Sequence, residues 1–144
     1  MELQATKTVD SETFQAFFGD SEKIQITDEM KQYGYFICDQ EETKGFFALY
    51  PVQHDAYWLR TFIMKQGVTV SLPLTMIQTA EQLTYNYGAH KLFIHSDSDA
   101  LDQLLHQLSY QQTDEAPEAI DQGTWWMTYP EKSLTANSYT QEKR

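Results

Sequence analysis

The sequence predicts a mixed α/β (α+β) domain on a central, mostly antiparallel sheet flanked by helices. Three observations carry that expectation. Runs of two-residue periodicity follow one another from 33 to 64 with short polar breaks, the pattern of consecutive antiparallel strands. Between 73 and 108 helical, strand and helical periodicity then alternate, as in a crossover unit with a parallel strand pair. Aromatic and β-branched stretches at 110–113 and 124–129 close the chain, and such residues favour a pleated, half-buried surface.

Taken in order, residues 3–9 suit a strand. Asp10 suits the N-cap of a short helix with Phe14, Phe17 and Phe18 at helical spacing and Gly19 at its end. A short helix around 27–31 precedes a buried strand at 33–39. The turn 41–45 places Gly45 where a hairpin needs positive φ, and strands at 46–52 and 57–64 follow. In the latter, alternation puts Trp58, Arg60, Phe62 and Met64 on one face and Tyr57, Leu59, Thr61 and Ile63 on the other. Helix 73–87 has Pro73 in its first turn, Met76, Ala80, Leu83 and Tyr87 on one face, and Gly88 at C′. After the strand 91–95, Ser98 caps a helix with Leu101, Leu104, Leu105 and Leu108 on one stripe. Alternation implies that the adjacent Trp125 and Trp126 cannot both point inward.

At 144 residues, 41% of them hydrophobic, the chain has material for one core. Residues 1–130 are expected as one domain and 131–144 as a polar, flexible tail. No apolar run approaches the roughly 20 residues that cross a bilayer, and residues 1–7 carry neither a secretion nor a transit pattern. A cytoplasmic location is therefore expected. The net charge of −11, with no basic stripe, opposes phosphate backbones and anionic lipid and suits a cationic amine. Cys38 has no second cysteine to pair with and reads as a small buried thiol. His54, His90, His95 and His106 show no metal-ligand spacing, so no metal is expected. Nucleophile-elbow, phosphate-loop and paired-cysteine motifs do not occur.

The element order, together with residues 87–95 (Tyr-Gly-Ala-His-Lys-Leu-Phe-Ile-His) and Leu108-Ser109-Tyr110, resembles the GNAT N-acetyltransferase superfamily over about residues 1–129. The resemblance implies a sheet splayed between its fourth and fifth strands, here 57–64 and 91–95. It also implies acetyl-CoA, or another acyl-CoA, in the opening. Pantetheine would pair with backbone of Thr61, Phe62 and Ile63, and pyrophosphate would rest on the following loop, Val68, Thr69, Val70, Ser71 and Leu72. Free amides at a helix N-terminus suit phosphate. The family writes that loop with glycines, whereas Val68, Val70 and Leu72 add bulk and Pro73 removes one N–H. A register shifted by two recovers Gln66 and Gly67 but not the later glycines.

The family's acid tyrosine falls on Leu105, which also belongs to an apolar stripe, and its upstream asparagine falls on Ser98, a cofactor-binding candidate that also suits a helix cap. A transferase must take a proton from an ammonium before nitrogen attacks the thioester, and His95, at a strand end, is the catalytic candidate. The expected activity is acetyl-CoA-dependent N-acylation of a small amine or peptide amine by direct attack. The alternative is a non-catalytic acyl-CoA-binding or regulatory module on the same fold, with a homodimer as a variant.

Overall fold

The computed structural model describes residues 2–19, 25–53, 55–65 and 71–130. The described residues gather into two compact units, one within Met1–Leu49 and Arg60–Leu72, the other within Tyr50–Leu59 and Pro73–Arg144. The tail expected over 131–144, His54, and the loop residues Val68, Thr69 and Val70 lie outside the described residues.

In the first unit, β1 (Glu2–Ala5) pairs antiparallel with β2 (Gly34–Asp39). The strand expected over 3–9 stops early because a 3-10 turn, Thr6–Thr8, follows it. The buried Thr6 hydroxyl lies 3.4 Å from the Met30 carbonyl and donates to the Lys31 carbonyl at 2.6 Å, while Thr8 donates to Ala5 at 2.7 Å. Such side-chain bonds offer the backbone an alternative to a ladder. The α1 helix (Ser11–Phe18) begins where the Asp10 carboxylate accepts from the Thr13 N–H at 2.7 Å, a bond that lowers the carboxyl's pKa, and Gly19 ends it at φ 65°. The α2 helix (Asp28–Tyr33) is capped by Thr27.

The hairpin from β2 to β3 (Glu42–Val52) turns at Gln40 (φ 54°) and Glu41 (φ 67°), not at Gly45. A two-residue connection closed by the pair Asp39↔Glu42 needs positive φ at both central residues for its twist to match the strands. Gly45 instead lies inside β3 opposite Ile37, beside a register shift.

In the second unit, the first half of β4 (Ala56–Met64) runs parallel to β5 (Lys91–Ser96), and β5 pairs antiparallel with β7 (Thr124–Thr128). The two-residue β6 (Gln111–Gln112) pairs with β7, and the strands of the described residues follow the order β1-β2-β3-β4-β5-β7-β6 in a seven-stranded sheet. Two helices supply the crossovers, α3 (Leu72–Asn86) and α4 (Asp99–Gln107). Along α3 the buried side chains are Leu72, Met76, Ile77, Ala80, Glu81 and Thr84, whereas Tyr87, expected inward, is 51% exposed. Polar residues take the inner stripe because each has a partner. Thr84 donates to the Ala80 carbonyl at 2.8 Å, and Glu81 accepts from the Tyr110 hydroxyl at 2.8 Å.

Both tryptophans are buried after all, because each face of the sheet is covered at that point. Trp125 packs with Trp58 and Phe93, while the Trp126 indole donates to Asp102 of α4 at 2.9 Å. Cys38 is half-buried beside the Thr43 hydroxyl. No helix among the described residues is long and apolar enough to cross a membrane.

Candidate functional site

The parallel ladder between β4 and β5 is short. Its rungs run from Ala56↔Lys91 to Leu59↔Ile94 and end there, although β4 continues to Met64. Two residues past the last rung, Thr61 adopts φ 59°. A β-branched residue in the left-handed region is an outlier, and inside a strand it breaks the two-residue alternation and bends the chain, the geometry of a bulge. The strict alternation expected for β4 is therefore interrupted at Thr61. Burial changes at the same place: Trp58 and Leu59 are buried, Arg60 to Ile63 are half-buried, and Met64 is exposed. Thr61, Phe62 and Ile63 thus follow the residues of β4 that carry the ladder.

Ser71, in the loop expected to meet the pyrophosphate, is exposed and just precedes α3. Leu72 opens that helix with its side chain 1% exposed. Its bulk, expected to crowd a pyrophosphate, is spent in packing. Ser98 caps α4, its hydroxyl accepting from the Leu101 N–H at 3.1 Å. Leu105 is fully buried on the apolar stripe of α4 and offers no acid.

His95 lies on β5 with Lys91 and Phe93 on the same face, since strand side chains alternate. Its Nε2 lies 2.6 Å from the Gln122 carbonyl oxygen, and its ring meets Trp125, the residue opposite it in the β5–β7 ladder, edge to face at 5.1 Å. Gly123 touches the same ring: at φ 84° a Cβ there would lie 2.8 Å from His95 Cε1 and Nε2 and 2.4 Å from the Ser96 carbonyl. Neither a side chain nor an ordinary backbone fits there.

The loop 113–123 is fastened to β5 at both ends. Lys91 Nζ donates to both Glu115 carboxylate oxygens, at 2.8 and 2.6 Å, and His95 holds Gln122. Glu115 raises the pKa of Lys91 by accepting its hydrogen bond. Beneath the loop is an open cavity of about 590 Å³, lined by the carboxylates Asp114, Glu118 and Asp121 and by Ala116, Ile120 and Trp125, with no Lys or Arg among the described residues that line it. Sequence reading assigned no role to Gln122 or Gly123. The visible signal was a Gly directly before an aromatic strand, a position that suits a left-handed residue.

No protein-family model matches the sequence, and no curated protein matches it. Solved structures do. N-acetylglutamate synthase from Neisseria gonorrhoeae, complexed with coenzyme A and N-acetyl-glutamate, superposes with a TM-score of 0.70 at 12% identity, over 89% of this chain and 34% of that one. The fold is the GNAT fold. A Mycobacterium tuberculosis protein in complex with CoA gives 0.66 at 11% identity, over 90% of this chain and 99% of that one. A GNAT-family acetyltransferase from Staphylococcus aureus gives 0.57 at 6% identity, over 67% and 66%. The chain spans about a third of the length of the first of these proteins. At these identities the likeness is one of fold, and the mixed sheet with its parallel β4–β5 pairing is consistent with it.

Proposed function

We propose that the chain is an acyl-CoA-dependent N-acyltransferase, with acetyl-CoA as the acyl donor and a small or peptidic amine as the acceptor. The observation that carries the reading is the end of the β4–β5 ladder at Leu59↔Ile94, followed by Thr61 at φ 59°. A strand that gives up its neighbour and bends has amide N–H and C=O groups to offer a ligand, and pantetheine carries amides. Thr61, Phe62 and Ile63 would hold it, and the amides entering α3 at Ser71 and Leu72 would face the pyrophosphate. Val68, Thr69 and Val70 complete that loop in sequence, and Ser98 serves α4 as its cap.

Bound acyl-CoA supplies an activated acyl group. The chain's part is to place the acceptor and take its proton. The carboxylate-lined cavity under the loop 113–123 suits a positively charged acceptor, as does the net charge of −11. His95, at the edge of that loop, is the base.

Melting of the pure protein against acetyl-CoA tests the donor. At 100 times the dissociation constant a ligand stabilises by about 2.7 kcal/mol, so an upward shift in Tm is expected, and no shift at millimolar acetyl-CoA sinks the reading. A second reading, an acyl-CoA-binding module without turnover, is favoured by the burial of Leu105 where the family places an acid. It predicts the same shift but no thiol release with any amine of a panel.

A further inference from the structure

We infer that the Gln122 carbonyl and Gly123 are a positioning element for His95, fixing its imidazole as the Nε2–H tautomer and leaving Nδ1 as the nitrogen that takes the acceptor's proton. The second half of this inference rests on the transferase reading; the first does not.

A carbonyl oxygen only accepts, so the nitrogen 2.6 Å from it must carry a hydrogen. When the ring is neutral its lone pair is then on Nδ1. Three further contacts hold the arrangement. Trp125 meets the ring edge to face and, as the cross-strand partner of His95, is placed by the ladder itself. Gly123 lets the backbone approach to where any Cβ would strike the ring, and its φ of 84° turns the Gln122 carbonyl into place. The Thr113 N–H donates to the Trp125 carbonyl at 3.0 Å, tying the other end of the loop to the same strand. A base oriented by a third group is the general logic of activated sites.

In the step this serves, the Nδ1 lone pair forms a bond to a proton of the acceptor's ammonium. That N–H bond breaks, and its electron pair stays on the amine nitrogen as the pair that attacks. The resulting imidazolium keeps its Nε2–H on Gln122, where charge strengthens the bond, and gives the added proton up to solvent.

The tautomer is read directly from two-bond proton–nitrogen correlations of ¹⁵N-histidine-labelled protein, without ligand, at a pH where the rings are neutral. His95 is assigned by the signals missing from His95→Gln. One species with Nε2 protonated and Nδ1 bare is expected. A mixture, or Nδ1–H, overturns the positioning element and leaves the transferase reading standing. Gly123→Ala should lose the single-tautomer pattern and lower kcat roughly 10- to 100-fold, as misplaced groups do, with KM for acetyl-CoA little changed. The wild-type spectrum decides the tautomer even should that variant fail to fold. A fixed tautomer with His95→Gln turning over undiminished overturns the base assignment, since a general base contributes on the order of 10²- to 10⁴-fold.

Discussion

Phe14, Phe17, Phe18, Phe36 and Phe46 of the first unit lie with ring centroids 5.0 to 6.5 Å apart, mostly edge to face or tilted. Among its described residues Thr6 is the buried polar side chain. The second unit buries Glu81, Thr84, Ser96 and Thr128 along with its aromatics, and its Tyr110 and Trp126 are anchored by carboxylates. The first core is held by area and ring geometry, which are indifferent to protonation. The second places titratable and hydrogen-bonding groups inside, where each must be satisfied. The same unit supplies His95 and the carboxylate-lined cavity, so the polar chemistry is concentrated where proton transfer is proposed.

The largest expected effect tests the apolar side of that contrast. Phe46 is fully buried and touches four other phenylalanine rings. Phe46→Ala should cost about 3–5 kcal/mol of unfolding free energy. In urea denaturation that loss should be the same from pH 5 to pH 8. A cost that varies with pH would mean that the first core contains an ionisation its geometry does not show.

Next in size is the Tyr110–Glu81 bond. Burial pushes the Glu81 carboxyl above the usual range, with the Tyr110 hydroxyl bond opposing; burial and the nearby Glu81 raise the Tyr110 phenol well above its own. Tyr110→Phe leaves a buried carboxyl without its donor and should cost about 1–3 kcal/mol. Glu81→Gln keeps an acceptor and removes the ionisation. Because the folded pKa is the higher one, the folded state keeps a proton that the unfolded chain has already released. The contribution is therefore fully present below the unfolded value, near 4.3, and declines as pH rises to the folded value. Glu81→Gln should flatten the stability–pH curve over that window and leave the variant more stable than wild type at pH 7. A curve with unchanged slope would show that Glu81 titrates normally.

How much of this was legible in sequence follows from which signals are local. Asp10 and Ser98 were legible as caps because a hydroxyl or carboxylate before a helical run binds amides three residues on. The succession of strands and helices along the chain was legible because the hydrophobic period switches between two and 3.6 residues. Four features were not. The turn at Gln40 and Glu41 uses non-glycine residues in the left-handed region, so Gly45 drew the prediction away. The inner stripe of α3 carries Glu81 and Thr84, and a polar residue reads as solvent-facing until its partner is known. Thr61 gives no sequence hint of its positive φ, since threonine favours extended backbone. The same limit hid the Gln122 carbonyl, because a backbone atom carries no residue identity.

The smallest effect sharpens the contrast from the surface. Lys91 and Glu115 form a close pair, yet their side chains are 31% and 39% exposed, so solvent screens most of their attraction. Glu115→Gln should cost roughly 0.5 kcal/mol at low salt and almost nothing near 1 M salt, where the screening length is about 3 Å. The loop 113–123 should nevertheless keep its place, because Ala116 packs on the cluster of Trp58, Phe93 and Trp125, and Thr113 and Gln122 remain bonded. Amide hydrogen exchange separates the two anchors: protection across the loop should be unchanged in Glu115→Gln and lost in Gly123→Ala. Equal loss in both would make the ion pair, not the packed backbone around His95, the fastening that matters.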